Sequence, residues 1–133
     1  MPPAVGRSDA PLRILVVDAD DRVRESLTGL LAIGERVKVV GGAGQAETAL
    51  ALAREQRPDV VVVDPRLPEL DGGVRFITSL RACCPGIRVV AMSWSDALER
   101  PAIDGGAHGF IRKTFRPTEL IAAIVAAARP ADA

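Results

Sequence analysis

The stretch Asp59-Val60-Val61-Val62-Val63-Asp64 places four consecutive valines between two aspartates. An unbroken run of β-branched apolar residues is typical of a strand that is buried on both faces, as the strands of parallel sheets are. Comparable runs, the last of them weaker, lie at residues 12–17, 36–40, 87–92 and 108–111. The sequence therefore predicts five strands that pair within a parallel sheet.

Helical patterns occupy the segments between these runs. Apolar residues recur there at spacings of three and four, which places them on one face of an amphipathic helix. The clearest faces are Val23, Leu27, Leu30 and Leu31; Ala46, Ala49, Leu50 and Ala53; Val74, Phe76, Ile77 and Leu80; and Leu120, Ile121, Ile124, Val125 and Ala128. A further helix is expected within residues 95–104, which completes a regular alternation of strands and helices.

Three residues indicate where helices begin or bend. Asp71, which precedes Gly72-Gly73, is expected to cap the third helix, and Pro117 suits the first turn of the last one. Pro101 lies inside the expected fourth helix, where a proline removes a backbone hydrogen bond and clashes with the preceding turn. We expect that helix to be short, kinked or late-starting.

The alternation predicts an α/β fold. A chain of 133 residues is long enough for one domain with a core that needs no disulfides. We expect a five-stranded parallel sheet, doubly wound, with five helices over its two faces and the flavodoxin-like strand order 2-1-3-4-5. Residues 12–129 are expected to form this domain, with tails at residues 1–11 and 130–133.

Charge and cysteine content exclude several classes of protein. Lys and Arg together number 17, as do Asp and Glu, so the net charge is zero. This balance gives no overall attraction to nucleic acid or to an anionic membrane. The two cysteines, Cys83 and Cys84, are neighbours, and neighbouring cysteines rarely bridge each other. We expect them at a helix end, reduced and without a redox role.

Targeting and membrane signals were also sought in the sequence. The first 11 residues lack the apolar core that a signal peptide has. The longest apolar stretch, Leu120 to Ala128, is too short to span a bilayer. We therefore expect a cytoplasmic protein with no membrane partner.

Reactive polar residues follow four of the five predicted strands. Asp18, Asp64, Ser93 and Lys113 end the first, third, fourth and fifth strands. In a doubly wound sheet, ligands bind beyond the carboxyl ends of the strands, where the strand order reverses. For the order 2-1-3-4-5 that point lies between the first and third strands, so these four side chains are expected to surround one cavity.

The chemistry of these groups indicates phosphoryl transfer. Two neighbouring carboxylates repel each other unless a cation neutralises them, and Mg²⁺ prefers oxygen ligands. A carboxylate can act as a nucleophile toward phosphorus, while an ammonium and a hydroxyl are suitable partners for phosphoryl oxygens. Together the groups describe an aspartate that accepts a phosphoryl group beside a metal ion.

The sequence resembles the receiver domain of bacterial response regulators over about residues 12–128. The matching stretches are residues 14–18, 58–72, 90–93 and 105–113. Each stretch is common alone, but four of them in this order on this strand pattern form a specific signal. The resemblance implies a protein of two-component signalling that receives a phosphoryl group from a histidine kinase.

The resemblance also implies a role for each matching residue. Asp64 is expected to accept the phosphoryl group, which Ser93 and Lys113 would contact. Asp18, Asp64 and the backbone carbonyl of Arg66 are expected to bind Mg²⁺.

The resemblance also implies a signalling role for an aromatic residue near this end of the sheet. Phe110 matches a family position whose aromatic ring moves with the hydroxyl residue. The surface made by the fourth helix, the fifth strand and the fifth helix is then expected to change shape, and it could support a homodimer. Trp94, the only tryptophan, is either a packing residue or an exposed anchor for a partner.

The sequence departs from the family pattern at the acidic pair. The first strand is followed by Asp18-Ala19, where the family has two acidic residues, and alanine has no atom that binds a metal. We therefore expect weak Mg²⁺ binding and slow phosphorylation. Asp20 or Asp21 could take the place of the missing ligand, or could instead be solvated or cap the first helix.

Three functions are consistent with these residues. The first is a stand-alone receiver, not an enzyme, that signals to an unknown downstream protein; with no helix-turn-helix motif, DNA is not an expected partner. The second is a protein-interaction module that works without phosphorylation, as Ala19 suggests. The third and most remote is a haloacid-dehalogenase-type phosphatase, because Asp18-Ala19-Asp20 resembles its Asp-x-Asp motif. That family needs an acidic pair after its lysine, and only Glu119 and Asp132 follow Lys113.

Overall fold

The computed structural model of the protein describes residues 10–114 and 116–129. Its five strands are parallel and form one sheet. They are β1 (Leu12–Val17), β2 (Val37–Ala43), β3 (Val60–Val63), β4 (Arg88–Ser93) and β5 (Gly109–Arg112). Their order in the sheet is β2-β1-β3-β4-β5, which confirms the predicted doubly wound arrangement with its reversal between β1 and β3.

Five α-helices connect or follow these strands within the described residues. They are α1 (Asp21–Leu31), α2 (Ala46–Gln56), α3 (Leu70–Cys83), α4 (Glu99–Asp104) and α5 (Pro117–Ala127). In the part of the chain that the structure describes, none of them has the length and apolar character needed to cross a membrane. The predicted tails fall almost wholly on residues 1–9 and 130–133, which lie outside the described residues.

Two apolar clusters cover the two faces of the sheet. Alternate residues of each buried strand contribute to opposite clusters, because side chains alternate along a strand. In β3, Val61 and Val63 face α2, α3 and α4, while Val60 and Val62 face α1 and α5. All four valines are buried, as the unbroken run predicts. The helices therefore cover β3 on both faces, and Asp64 lies just beyond its carboxyl end.

Strand β2 is longer than the sequence predicts. The apolar run at residues 36–40 predicts an end before Gly41, but the strand continues through Gly41 and Gly42 to Ala43. The pairing register with β1 shifts between Ile14 and Leu15, which is a β-bulge, and Gly41 then pairs with Leu15. A bulge tolerates glycine, and a side chain at position 41 would crowd Leu15, because a Cβ there would lie 3.3 Å from its Cδ1 atom.

The predicted cap of α3 is wrong, whereas one of the alternatives for Asp20, capping of α1, and the first-turn position of Pro117 in α5 are confirmed. Glu69 precedes the first residue of α3, and Asp71 lies within the first turn instead of capping it. The helix begins early because the preceding loop folds back against its first turn. Asp20 caps α1 by accepting hydrogen bonds from two backbone N–H groups, and Pro117 is the first residue of α5.

Helix α4 is short and starts late, as Pro101 predicts. A single 3₁₀ turn, Asp96–Leu98, precedes it, and only six residues are α-helical. Pro101 lies in the first turn, where its missing N–H would have no intrahelical partner.

Candidate functional site

One ammonium joins two carboxylates at the carboxyl ends of the central strands. Lys113 Nζ lies 2.7 Å from Asp18 Oδ2 and 2.7 Å from Asp64 Oδ2. Asp18 directly follows β1, Asp64 directly follows β3, and Lys113 directly follows β5. The structure therefore brings together three of the residues that the strand ends predicted.

The three side chains are buried to different extents. Lys113 is 2% exposed, Asp18 is 5% exposed and Asp64 is 12% exposed. With so little water, the attraction between the ammonium and each carboxylate is much stronger than at a surface. The Asp64 carboxylate is the more open of the two, so a small molecule can reach it more readily than it can reach Asp18.

Backbone hydrogen bonds hold both carboxylates in place. Asp18 Oδ1 accepts a hydrogen bond of 2.9 Å from the N–H of Asp20, and Asp64 Oδ1 accepts one of 2.9 Å from the N–H of Arg66. The N–H of Asp64 also donates to the carbonyl of Val17, at 3.0 Å, which continues the pairing of β1 with β3. In each carboxylate one oxygen is bound to its own loop while the other contacts Lys113.

Ser93 ends β4 and is buried beside this group. Its Oγ atom accepts a hydrogen bond of 3.2 Å from the N–H of Ser95, and its carbonyl accepts one of 2.9 Å from the N–H of Lys113. Because β4 pairs with both β3 and β5, Ser93 lies on the same edge of the sheet as Asp64 and Lys113. The hydroxyl group is thus anchored at this edge, and its contact with a phosphoryl group stays a prediction.

The loop after Asp64 is fixed by close packing against α3. A Cβ atom at Gly73 would lie only 1.6 Å from the carbonyl oxygen of Pro65, and one at Gly72 would lie 2.4 Å from that of Leu67. Only glycine permits so close an approach. The loop carries Arg66, an exposed residue whose backbone carbonyl is the predicted metal ligand.

Asp20 and Asp21 each have a partner on α1. Asp20 Oδ1 caps α1, and Asp21 Oδ1 forms an ion pair of 2.7 Å with Arg24. Among the described residues, no group of three or more His, Cys, Asp or Glu side chains is placed to hold a metal ion. The oxygen donors that fit Mg²⁺ are two carboxylates and one carbonyl, so water would complete most of its coordination.

Two contacts near the site were not predicted from the sequence. Arg24 Nη1 donates a hydrogen bond of 2.7 Å to the carbonyl of Asp18, which ties α1 to the end of β1. The ring of Trp94 lies 5.4 Å from Lys113 Nζ, measured to its centroid, within the range of a cation–π interaction. The helical spacing of Asp21 and Arg24 is the only sequence signal for the first contact. Trp94 is 47% exposed, which favours the exposed alternative over the packing one.

Phe110 lies in β5 and is half-buried. It packs against the cluster on the α3 side of the sheet. This position is consistent with the predicted aromatic switch, whose movement stays a prediction.

Comparison with known proteins agrees with this geometry. Residues 14–125 match the family described as response regulator receiver domain. The response regulator GacA of Pseudomonas viridiflava is 36% identical over 115 residues, which are 85% of this chain and 53% of that protein. A protein-glutamate methylesterase/protein-glutamine glutaminase of Anaeromyxobacter dehalogenans is 35% identical over 117 residues, 88% of this chain and 32% of that protein. The chain thus spans about half or less of these curated relatives.

Solved structures give the same result for the fold and for the family. The signal receiver domain of the response regulator NarL from Mycobacterium tuberculosis is 31% identical with a TM-score of 0.79, over 89% of this chain and 96% of that one. The response regulator domain of Thermotoga maritima CheB is 30% identical with a TM-score of 0.77, over 90% and 99% of the two chains. Sequence, strand order and neighbours agree, and the chain belongs to the response regulator receiver domain family.

Proposed function

We propose that this chain accepts a phosphoryl group on Asp64 from a histidine kinase and signals the change through a protein surface. The observation that carries the proposal is the contact of Lys113 Nζ with both Asp18 and Asp64 at the open edge of the sheet. A carboxylate held beside an ammonium, and partly open to solvent, has the requirements of a phosphoryl acceptor.

The proposed transfer is a direct displacement at phosphorus. An oxygen of Asp64 bonds to the phosphorus of a phosphohistidine as the phosphorus–nitrogen bond breaks, and the histidine nitrogen keeps the electron pair. Lys113 stabilises the negative charge on the phosphoryl oxygens, and the hydroxyl of Ser93 donates a hydrogen bond to one of them. Both groups already lie at this edge of the sheet, so the transfer needs little rearrangement.

Magnesium binding at this site is proposed to be weak. Asp18, Asp64 and the carbonyl of Arg66 would hold the ion, which neutralises phosphoryl charge when it is bound. Ala19 supplies no ligand, and Asp20 and Asp21 are engaged with α1 and Arg24. Without a ligand at position 19, Asp18 contributes more to positioning the cation. Its carboxylate is kept oriented by the hydrogen bond that it accepts from the N–H of Asp20.

The wider setting of the chain is also part of the proposal. We propose that residues 12–129 form a receiver that turns over no external substrate, in the cytoplasm, with a histidine kinase and a downstream protein as partners. The surface of α4, β5 and α5 is the proposed site of homodimer formation. Relatives carry additional segments beyond the matched region, so a stand-alone role is a proposal about this chain alone.

Phosphorylation is tested with a small-molecule donor. The chain is incubated with acetyl phosphate or phosphoramidate and Mg²⁺, and its intact mass is followed over time. We expect a gain of one phosphoryl group that depends on Mg²⁺ and is absent in Asp64→Asn. No gain with either donor, in protein with native circular dichroism, would exclude the proposed acceptor role.

A second candidate is an interaction module that works without phosphorylation. It is favoured by Ala19 and by the fact that Lys113 already neutralises part of the acidic charge. For this candidate the same experiment gives no mass gain, and Asp64→Asn binds partners as the wild type does.

The phosphatase alternative receives no support from the structure. Glu119, one of the two acidic residues after Lys113, lies on α5 and is paired with Arg116 on the surface. Asp132, the other one, lies outside the described residues. Membership of the receiver family accounts for the acidic residues without this alternative.

A further inference from the structure

Two thiols are in contact at the end of the sheet opposite the Asp64 site. Cys83 is the last residue of α3 and Cys84 follows it, as expected for residues at a helix end. Their Sγ atoms lie 2.9 Å apart, within hydrogen-bond distance for sulfur. Cys83 is exposed and Cys84 is half-buried. The sequence does not reveal this contact, which removes the basis for expecting no redox role.

A cavity of about 580 Å³ is lined by both cysteines. Its lining also includes the first residues of β1, β3 and β4, together with Arg54 and Arg57. The pKa of Cys84 is raised by burial and by the neighbouring Cys83 thiol, and the opposing effect of Arg54 and Arg57 is smaller. The cavity therefore offers a small oxidant a route to two adjacent thiols beside positive charge.

We propose that Cys83 and Cys84 are an oxidative modification site, at which a hydroperoxide converts the two thiols into one intramolecular disulfide. The pair is distinct from the Asp64 site, because it lies at the amino ends of the strands. The sequence contains two cysteines, so a disulfide within this chain joins Cys83 to Cys84.

The oxidation proceeds in two steps that balance with one hydrogen peroxide. The exposed sulfur of Cys83 attacks one peroxide oxygen, the oxygen–oxygen bond breaks, and a sulfenic acid and one water form. The sulfur of Cys84 then attacks the sulfenic sulfur, which releases its oxygen as a second water. Two thiols thus lose two electrons and two protons, and the peroxide is reduced to two waters.

The contact between the sulfur atoms brings an internal disulfide within reach, while the short backbone spacing opposes it and makes the product reversible. The sulfur atoms need to approach by about 0.9 Å, from their contact distance to a bond of about 2.04 Å. Neighbouring Cα atoms are about 3.8 Å apart across a trans peptide, which is less than the usual separation in disulfides. A bond formed under that restriction is more readily reduced than an ordinary one.

The test uses one tryptic peptide of the folded chain. Cleavage after Arg81 and Arg88 gives residues 82–88, which contain both cysteines and no methionine. The protein is treated with hydrogen peroxide, its remaining thiols are blocked with N-ethylmaleimide, and the mass of the peptide is measured by mass spectrometry. We expect a peptide that has lost two hydrogen atoms and carries no maleimide, and dithiothreitol should restore two reactive thiols.

Single substitutions provide the matched controls. Cys83→Ser and Cys84→Ser keep one thiol each, so they should lose the intramolecular product completely and accumulate a sulfenic acid that dimedone traps. Asp64→Asn should form the disulfide at the wild-type rate, since the two sites lie at opposite ends of the sheet.

Three results in the wild-type protein would overturn the proposal, and none of them depends on a variant. Both thiols could remain reactive after peroxide treatment, or each could proceed separately to sulfinic acid. A non-reducing gel could also show a disulfide between two chains in place of the internal one.

Discussion

Lys113 is the residue on which the charge balance of the acidic site depends. Its ammonium contacts both carboxylates at 2.7 Å, and its side chain is almost fully buried. Removing one partner of a buried charged group leaves the others uncompensated in a region with little water. We expect Lys113→Met to lower the free energy of unfolding by about 3 kcal/mol in Mg²⁺-free buffer, as measured by urea denaturation.

The chain offers a matched control for that substitution. Its other lysine, Lys38, is exposed on β2, and Lys38→Met should change the free energy of unfolding by less than about 0.5 kcal/mol. Added Mg²⁺ should restore part of the stability of Lys113→Met, because a cation can replace the lost ammonium. Equal stability of the two variants would contradict the role given to Lys113.

Ala19 is the position that we expect to limit metal binding. It is exposed and follows Asp18, so Ala19→Asp adds a third carboxylate next to the pair without disturbing the core. We expect Mg²⁺ affinity to rise on the order of tenfold or more. The emission of Trp94, the only tryptophan, reports the titration because its ring lies beside Lys113. Ala19→Asn adds a side chain of the same shape without charge, and an equal gain in that control would contradict the account.

His108 makes stability depend on pH near neutrality. Its Nδ1 atom accepts a hydrogen bond of 2.9 Å from the N–H of Val89, and burial, together with Arg88 and Arg81, lowers its pKa below 6.5. The unfolded chain therefore binds this proton first as the pH falls below 6.5. The contribution of His108 to stability is complete above that pH and is lost as the pH falls toward the lowered pKa.

His108→Asn tests this dependence. The asparagine oxygen can accept the same hydrogen bond without titrating, so the variant should lose less stability than the wild type between about pH 7.5 and pH 5.5. Urea midpoints at several pH values measure the difference. Parallel curves for the two proteins would show that His108 does not titrate differently on folding.

At the residue scale, the sequence predicted the groups that directly follow strands. Asp18, Asp64 and Lys113 meet because strand ends share one edge of the sheet, which is a consequence of topology. The contacts of Arg24 with the Asp18 carbonyl and of Trp94 with Lys113 were not predicted, because they depend on the directions that side chains take. The thiol contact of Cys83 with Cys84 was missed for a similar reason, because adjacency in the chain does not fix the direction of either side chain.

The position of helix α3 depends on a glycine that has no Cβ atom. The loop that carries Arg66 packs so closely on its first turn that Gly73 has no room for a Cβ atom. We expect Gly73→Ala to lower the free energy of unfolding by about 1–3 kcal/mol and to slow phosphorylation, because the loop must move.

A glycine-to-alanine substitution in another helix should change the free energy of unfolding in the opposite direction. Gly29 lies on the exposed side of α1 with no atom within 4 Å of its would-be Cβ. Gly29→Ala should therefore raise stability by about 0.5–1 kcal/mol through helix propensity alone. Thermal or urea denaturation measures the stability of the two variants. If both variants were less stable than the wild type, the packing of the loop on Gly73 would not explain the loss of stability.

At the element scale, periodicity located the elements better than their ends. The valine run identified β3, and Pro101 identified a short α4. The end of β2 and the start of α3 were mispredicted because glycine is found both where an element breaks and where a neighbouring segment packs closely. Gly41 continues a strand at a bulge and Gly73 admits a loop, and only the tertiary contacts distinguish these cases from a break.

At the scale of the whole molecule, the strand order follows from the alternation of buried runs and helices. Five runs of strand character with helices between them admit few arrangements, and the order β2-β1-β3-β4-β5 is one of the common ones. The acidic site then lies where that order reverses. The thiol pair lies at the other end of the sheet. The length of the strands therefore separates the proposed phosphoryl acceptor from the proposed oxidation site.

The most direct test of the account is to locate the phosphoryl group. Protein treated with acetyl phosphate and Mg²⁺ is reduced with borohydride, which converts a phosphorylated aspartate into homoserine, and its peptides are then sequenced by mass spectrometry. We predict homoserine at position 64 and an unchanged aspartate at position 18. Homoserine at another position, or none in protein that has gained a phosphoryl group, would contradict the assignment of Asp64 as the acceptor.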